Sequence, residues 1–318
     1  MARPYPFPVR TCHKATPSTA PTSPFMLKPH PPSATSDWPL LTRFIEREAG
    51  LGAAAKARGP VVAGFYEFLR FGVKQAWACL YGGLMLALLL GTWLLYPRDA
   101  ALPRYDFLTI AALALQVALI RFRLETREEA LVILIFHAVG TGMEIFKTAV
   151  GSWVYPEESF LRIGGVPLFT GFMYAAVGSY IARVWRLFDF RFSRHPPLWA
   201  VLGLAAAIYA NFFLHHYWWD LRWGLFGLAA LLFGRSWVYF RVWDEDRRMP
   251  LLVGYGLVAL FIWFAENLGT FAGAWLYPSQ KHGWAPVSFA KFGSWYLLML
   301  ISYALVALIR RPAERMGN

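Results

Sequence analysis

One pattern occurs twice in this chain: residues 142–156 read G-M-E-I-F-K-T-A-V-G-S-W-V-Y-P, and residues 264–278 read F-A-E-N-L-G-T-F-A-G-A-W-L-Y-P. The shared residues follow the order E-x-x-x-T-x-x-G-x-W-x-Y-P, and each recurs after 122 positions, as Glu144 and Glu266 do. Membrane interfaces favour Trp and Tyr in any case, but that preference does not account for Glu, Thr and Gly at fixed spacing. The pattern therefore predicts an internal duplication, and the rest of the fold follows from it.

Apolar residues dominate the 318-residue chain. It is 57% hydrophobic and 16% charged, whereas a soluble domain is typically about 45–50% apolar and about 25% charged. This composition argues against a soluble enzyme and predicts an all-α membrane protein. A membrane-spanning helix needs about 20 mostly apolar residues. About eight transmembrane helices are predicted, at residues 76–96, 105–122, 129–149, 165–185, 198–218, 223–243, 251–273 and 287–309.

The duplication divides these spans into two parallel four-helix repeats, residues 76–186 and 198–310. Because each repeat has an even number of spans, both cross the membrane in the same direction. Residues 1–37 are rich in Pro, Ser and Thr and are predicted to form a disordered tail. Residues 38–75 alternate apolar and basic side chains, which predicts an amphipathic segment on the membrane surface. Residues 311–318 would form a short basic C-terminal tail.

Lys and Arg are distributed unequally between the predicted loops. The net charge of +12 raises the question of nucleic acid as a partner. However, basic residues concentrate in the N-terminal flank, in the connections after spans 2, 4 and 6, and at the C-terminus. Cytoplasmic loops of membrane proteins carry this excess. The charge therefore predicts a multi-pass protein of the bacterial inner membrane with both termini in the cytoplasm, in contact with lipid and not with nucleic acid.

Polar side chains inside the predicted spans define a candidate site, because such groups are costly in a membrane. Glu144 and Glu266 lie at matched depth in spans 3 and 7, toward the non-cytoplasmic side, and span 5 brings His215, His216 and Asp220 to a similar depth. These five residues are the predicted catalytic groups. The predicted supporting polar residues are His137, Lys147, Thr148, Asn211, Arg235, Asn267, Thr270 and Lys291.

Helical spacing predicts particular contacts among these residues. Lys147 lies one turn after Glu144 and is placed to pair with it, and His216 and Asp220 are four residues apart. Arg235 is expected near the middle of span 6. Each contact also has a purely structural explanation, namely an ion pair or a packed polar side chain.

Three classes of function fit this set of groups. A protonated carboxyl group in a dry pocket can donate a proton to an alkene, as an intramembrane enzyme acting on a lipid or isoprenoid would require. Histidine with carboxylates can also hold Zn or non-haem Fe, but adjacent histidines on a helix point about 100° apart. A metal is therefore possible but not favoured, and the residues leave the identity of any cofactor open. The third class is a proton-coupled transporter or another non-enzymatic membrane protein.

Two resemblances follow from these residues. The stretch 142–181, with N-F-F-L-H-H at 211–216 and F-I-W-F-A-E-N-L-G-T at 261–270, resembles the bacterial membrane-protein family catalogued as domain of unknown function 817. That resemblance covers about residues 65–310 and implies a multi-spanning architecture, but no activity.

A shorter likeness is to membrane proteins of carotenoid biosynthesis, the carotenoid hydratases and small lycopene cyclases. It rests on a Glu in a span, then G-x-W/Y-x-Y, then G-V-P opening the next span, and it implies acidic residues acting on the ends of a hydrophobic polyene. The second copy departs from this pattern, with G-W-A at residues 283–285 before the proline. The matching residues are Glu144, Tyr155, Gly165 and Pro167 in the first copy and Glu266, Tyr277 and Pro286 in the second.

Overall fold

The computed structural model describes residues 50–122 and 124–312. The chain divides into two compact units, residues 1–58 and 59–318. The structure describes residues 50–58 of the first unit, of which residues 50–57 are helical. The predicted tail, the start of the predicted amphipathic segment and residues 313–318 lie outside the described residues.

The second unit is mainly helical. Its described helices are α1 (Pro60–Ala78), α2 (Leu80–Leu95), α3 (Arg104–Arg121), α4 (Arg127–Ala149), α5 (Phe169–Leu187), α6 (Leu198–Leu214), α7 (Arg222–Phe233), α8 (Leu251–Phe271) and α9 (Ala290–Ile309). A 3-10 turn covers Pro278–Gln280. The short strands are β1 (Arg162–Ile163), β2 (Val166–Pro167), β3 (Arg191–Ser193), β4 (Trp237–Arg241) and β5 (Asp246–Pro250). Strands β1 and β2 form one antiparallel pair, and β3, β4 and β5 form an antiparallel sheet in that order.

A helix overlaps each of the eight predicted spans. By length and composition, α4, α8 and α9 are each suited to crossing a membrane, and α1 with α2 gives a fourth candidate if that pair, bent by 67°, counts as one span. Helices α6 and α7 are apolar but shorter. The fold is therefore mostly helical with three to four candidate membrane-crossing helices, and the full set of eight spans stays a prediction.

The second half of the span predicted at 223–243 is wrong. Helix α7 ends at Phe233, and β4 begins at Trp237. The residues W-V-Y-F favour a strand, and this strand pairs with β3 on one side and β5 on the other. Arg235 is therefore exposed in the turn between α7 and β4 and does not lie near the middle of a span.

Glycine allows α4 and α5 to pack closely against each other. A Cβ atom at Gly171 would lie 2.3 Å from His137 Nδ1, and one at Gly178 would lie 2.7 Å from the ring of Phe136. Side chains larger than hydrogen would push the helices apart. This close packing matters for the candidate site because α4 carries Glu144 and α5 carries Tyr174, which donates a hydrogen bond to it.

The connections between helices contact one another in two separate groups. The first group is rich in arginine and joins α1 to the ends of α5 and β4. In it, Lys74 Nζ of α1 donates to Leu187 O at 2.9 Å and to Arg241 O at 3.0 Å. The sheet of β3, β4 and β5 belongs to this group. In the second group, Val154 and Leu276 form an isolated antiparallel bridge. The start of α3 belongs to this second group as well, because Arg104 pairs with Glu157 of the α4–α5 connection at 2.6 Å and donates to Ala272 O at the end of α8 at 3.2 Å.

Candidate functional site

The two copies of the sequence pattern adopt the same turn. Helix α4 is followed by Gly151 with φ 72°, and α8 is followed by Gly273 with φ 63°. In each copy the amide of that glycine donates to the carbonyl of the repeated Thr, at 3.1 Å in the first copy and 3.0 Å in the second. Glycine is required because the left-handed conformation is strained for other residues.

The bridge between the copies joins equivalent positions. Val154 and Leu276 are 122 positions apart in the sequence. Val154 N donates to Leu276 O at 3.0 Å, and Leu276 N donates to Val154 O at 2.9 Å. A local two-fold axis between the two copies would produce this arrangement, in which equivalent residues donate to and accept from each other.

Glu144 is buried and accepts three hydrogen bonds. The donors are Tyr174 Oη to Oε1 at 2.6 Å, Trp153 Nε1 to Oε2 at 2.7 Å, and Tyr155 Oη to Oε2. The turn at Gly151 brings Trp153 and Tyr155 back onto the helix that carries the carboxyl group. Burial, followed by the nearby charge of Glu144, holds the pKa of Tyr155 well above its usual value, so this hydroxyl stays protonated and remains a donor.

Glu266 occupies the equivalent position but has a different set of donors. Tyr277 Oη donates to Oε1, as the repeat leads one to expect, and Trp295 Nε1 of α9 donates to Oε2. Trp275, the equivalent of Trp153, instead packs against Gly269, where an added Cβ would lie 2.4 Å from its ring. Each oxygen of Glu266 therefore keeps unused capacity to accept a hydrogen bond.

The two carboxyl sites adjoin each other through aromatic rings. Trp153 from the first site and Tyr277 from the second lie with ring centroids 5.9 Å apart at an angle of 79°. The Lys291 ammonium lies 4.5 Å from the Tyr277 ring centroid and 5.6 Å from that of Trp153. The sites of Glu144 and Glu266 are thus neighbours in the structure, and Lys291 lies between their aromatic donors.

Lys147 does not pair with Glu144. Its Nζ lies 2.7 Å from His216 Nε2 and 3.4 Å from His215 Nε2. The same ammonium lies 4.1 Å from the centroid of the Phe212 ring. Helical spacing alone misses this arrangement, because the residues after α6 supply closer partners.

Asp220 does not pair with His216. Its carboxylate pairs with Arg222 at 2.8 Å and accepts from Asn211 Nδ2 at 3.3 Å. His216 instead faces cations. Partial burial lowers its pKa, and the positive charges of Lys147, His215 and Lys291 lower it further. The neutral imidazole is therefore favoured at His216.

Four supporting residues contribute to packing and loop structure. His137 packs on Phe172 with centroids 4.4 Å apart. Asn267 Oδ1 accepts from Val287 N at 2.9 Å, and Thr270 Oγ1 donates to Asn267 O at 3.1 Å. Among these supporting residues, the buried atoms His137 Nδ1 and Thr148 Oγ1 have no hydrogen-bond partner in the described part of the chain.

A cavity of about 1130 Å³ connects these groups with the apolar interior. Its lining is mainly aliphatic and aromatic, from α1, α2, α5, α8 and α9. The polar residues that line it include Glu144, Glu266, Lys147, Lys291, His215 and His216. Within residues 50–122 and 124–312, no group of three His, Cys, Asp and Glu side chains is arranged to hold a metal ion.

A second buried ionic cluster was missed by the sequence reasoning. Arg183 Nη2 lies 2.9 Å from Glu125 Oε1, and both side chains are fully buried. Glu125 also accepts from Gln116 Nε2 at 2.6 Å and from Ser179 Oγ at 3.2 Å. Glu125 lies between the spans predicted at 105–122 and 129–149, and Arg183 lies near the end of the span predicted at 165–185. Their positions near span ends gave no indication that the two side chains pair in the interior.

These features define a class: a mostly helical protein with apolar helices of membrane-crossing length around a cavity that two buried glutamates line. The chain belongs to the protein family of unknown function DUF817, which it matches over residues 67–303. It is 43% identical over 249 residues to the uncharacterized protein YoaT of Bacillus subtilis (strain 168), an alignment that covers 78% of this chain and 94% of that protein. No solved structure shows a significant match to the chain.

Proposed function

We propose that this protein is an eight-pass membrane protein made of two parallel four-helix repeats, and that it is an enzyme acting on a lipid or isoprenoid substrate held in its cavity. The observation that carries the proposal is the cavity, which joins an apolar interior to both Glu144 and Glu266. Ligand pockets are lined mostly by apolar side chains with a few placed polar groups, as here.

The contacts between connections support the eight-pass topology. If every predicted span crosses, connections alternate between the two membrane faces. Lys74, Leu187 and Arg241 would then share one face, and Val154 and Leu276 would share the other, in agreement with the two groups of contacts. The arginine-rich group would be cytoplasmic. Helix α1 would lie along that face, because its apolar side chains are exposed and Glu67 pairs with Arg247 of β5.

The matched turns and the symmetric bridge support the duplication. Helices α4 and α8, shifted by 122 positions, end at the same residue, and so do α5 and α9. A two-fold axis along the membrane normal relates parallel repeats. The reciprocal hydrogen bonds of Val154 and Leu276 would lie on that axis.

The chemistry rests on the two carboxyl groups. Tyrosine and tryptophan donors fix the orientation of Glu144 and Glu266, and no cation pairs with either carboxylate among the described residues. A carboxyl group held in this way beside an apolar cavity can exchange a proton with a bound substrate. The proton-coupled transporter is less well supported, because a proton relay needs a chain of ionisable groups and most of the cavity wall is apolar.

The test compares lipids that co-purify with wild-type protein and with a Glu144→Gln/Glu266→Gln variant. Extraction and mass spectrometry should find a hydrophobic molecule in both, and the variant should accumulate a species that the wild type has converted. Glu158→Gln, an exposed carboxylate in the same α4–α5 connection, serves as the matched control. Identical lipid profiles in all three proteins would refute the enzymatic role, and proteins without any bound lipid would refute the binding role as well.

A further inference from the structure

We propose that the molecule held in the cavity is an amphiphile with an anionic oxygen headgroup, a phosphate or a carboxylate, and that Lys147, Lys291 and His216 bind this headgroup. The inference rests on the proposed function, since it takes the cavity as a site for a hydrophobic molecule. It narrows the substrate class from any lipid or polyene to those with a negative headgroup.

Lys147 is a buried cation without an acidic partner. Its side chain is 5% exposed. The groups around its ammonium are the rings of His215, His216 and Phe212, and no carboxylate forms an ion pair with it in the described chain. Buried charges in proteins are normally paired or bound to a ligand. The missing counter-charge is what an anionic ligand would supply.

Lys291 gives a second cation at the same place. Its ammonium lies over the Tyr277 and Trp153 rings, an arrangement that suits a charged amine. Glu266 attracts it electrostatically but receives its hydrogen bonds from Tyr277 and from Trp295. No ion pair of Lys291 occurs among residues 50–122 and 124–312. The donors of this ammonium are therefore available to a ligand.

The two lysines converge on one cluster of side chains. Trp153, Tyr277 and Val287 form a buried cluster against which Phe212 packs. Lys147 contacts the ring of Phe212, and Lys291 contacts the other two rings. The nearby Arg222 is already neutralised by Asp220. Lys147 and Lys291 are thus the cations at this place that form no ion pair among the described residues, and His216 can add a positive charge on protonation.

The rest of the cavity suits a long hydrocarbon chain. Its volume of about 1130 Å³ slightly exceeds the usual range for small-molecule sites, about 300–1,000 Å³. From the lysines it continues along apolar residues of α5, α8 and α9, with Met173, Phe261 and Leu298 among them. A charged end and an apolar body are the two halves of an amphiphile.

The first experiment measures binding to purified wild-type protein in neutral detergent. The probes are a long-chain prenyl phosphate, a fatty acid of similar length, and the prenyl alcohol that matches the phosphate. We expect at least one anion to bind about tenfold or more tightly than the alcohol, since hydrogen bonds to charged groups give discrimination of this order. The stronger of the two anions identifies the headgroup as phosphate or carboxylate. Equal affinity of both anions and the alcohol would overturn the inference.

The second experiment uses charge-removing variants. Lys147→Met and Lys291→Met should each weaken anion binding about tenfold and leave alcohol binding unchanged. Lys281→Met, at an exposed lysine of the α8–α9 connection, is the control and should change neither. Unchanged anion binding in both lysine variants would overturn the inference. If a variant fails to fold, the affinities of the wild-type protein for the two anions and the alcohol test the headgroup assignment instead.

These outcomes separate the two proposals. If the alcohol binds as well as the anions, the cavity still holds a hydrophobic molecule and only the headgroup assignment fails. If none of the three probes binds, both the headgroup assignment and the proposed function fail.

Discussion

Removing one member of the buried Arg183–Glu125 pair should be strongly destabilising. Both side chains are fully buried with nitrogen and oxygen 2.9 Å apart, and Glu125 accepts further hydrogen bonds from Gln116 and Ser179. Arg183→Met leaves a carboxylate buried without its cation. Breaking such a pair typically costs about 3–5 kcal/mol. Glu125→Met should cost a similar amount, because it leaves the guanidinium group unpaired.

The double variant Arg183→Met/Glu125→Met distinguishes this reasoning from a loss of packing. With no charge left to compensate, it should be less destabilised than the sum of the two single variants. The assay is the unfolding free energy in mixed micelles as a denaturing detergent is titrated. The control is Arg247→Met, which breaks the exposed pair with Glu67 at 2.5 Å and should cost less than about 1 kcal/mol. Additive single costs, or an Arg183→Met cost no greater than that of the control, would refute the reasoning.

Three further predictions concern packing, the bridge and pH. Gly171→Ala should lower thermal stability by about 1–3 kcal/mol because its Cβ has no room, whereas Gly203→Ala, with open space around it, should not; equal melting temperatures would contradict this. Val154→Cys/Leu276→Cys should form a disulfide on oxidation, seen as a mobility shift without reductant, since paired Cα atoms in an antiparallel bridge lie about 5.5 Å apart; absence of the cross-link would contradict the pairing. The pKa of His216 is lowered in the free protein, and a bound anion would stabilise its imidazolium form, so an alkyl sulfonate probe should bind more tightly in weakly acidic than in neutral solution. The variant His216→Gln should have a flatter profile, and a flat wild-type profile would contradict the linkage.

The repeated pattern indicated much of the carboxyl site. Glutamate and tyrosine eleven residues apart, with a glycine between them, recur in both copies, and in both the tyrosine donates to the glutamate. The pattern did not indicate how the tyrosine reaches the glutamate. The helix stops at Gly151 or Gly273, whose positive φ turns the chain back. Sequence spacing measures separation along the chain, but a tight turn sets the separation in space.

The features that the sequence predicted wrongly depend on segments distant in the chain. Lys147 was assigned to Glu144 from helical spacing, yet the loop after α6 places two histidines closer. Arg235 was assigned to a span because its neighbours are apolar, yet those neighbours pair in a sheet. Local periodicity is a weak guide when a more distant segment offers a competing hydrogen-bond partner.

The two copies of the repeated pattern share residues but differ in the contacts of their glutamates. Glu144 accepts three hydrogen bonds, including one from Tyr174 on α5, whereas Glu266 accepts two and takes its α9 donor from Trp295. Lys291 lies on the Glu266 side, and its first-copy counterpart in α5 supplies no cation. The three donors on Glu144 therefore restrain the orientation of its carboxyl group more firmly, whereas Glu266 keeps spare capacity to accept hydrogen bonds and has the Lys291 cation nearby.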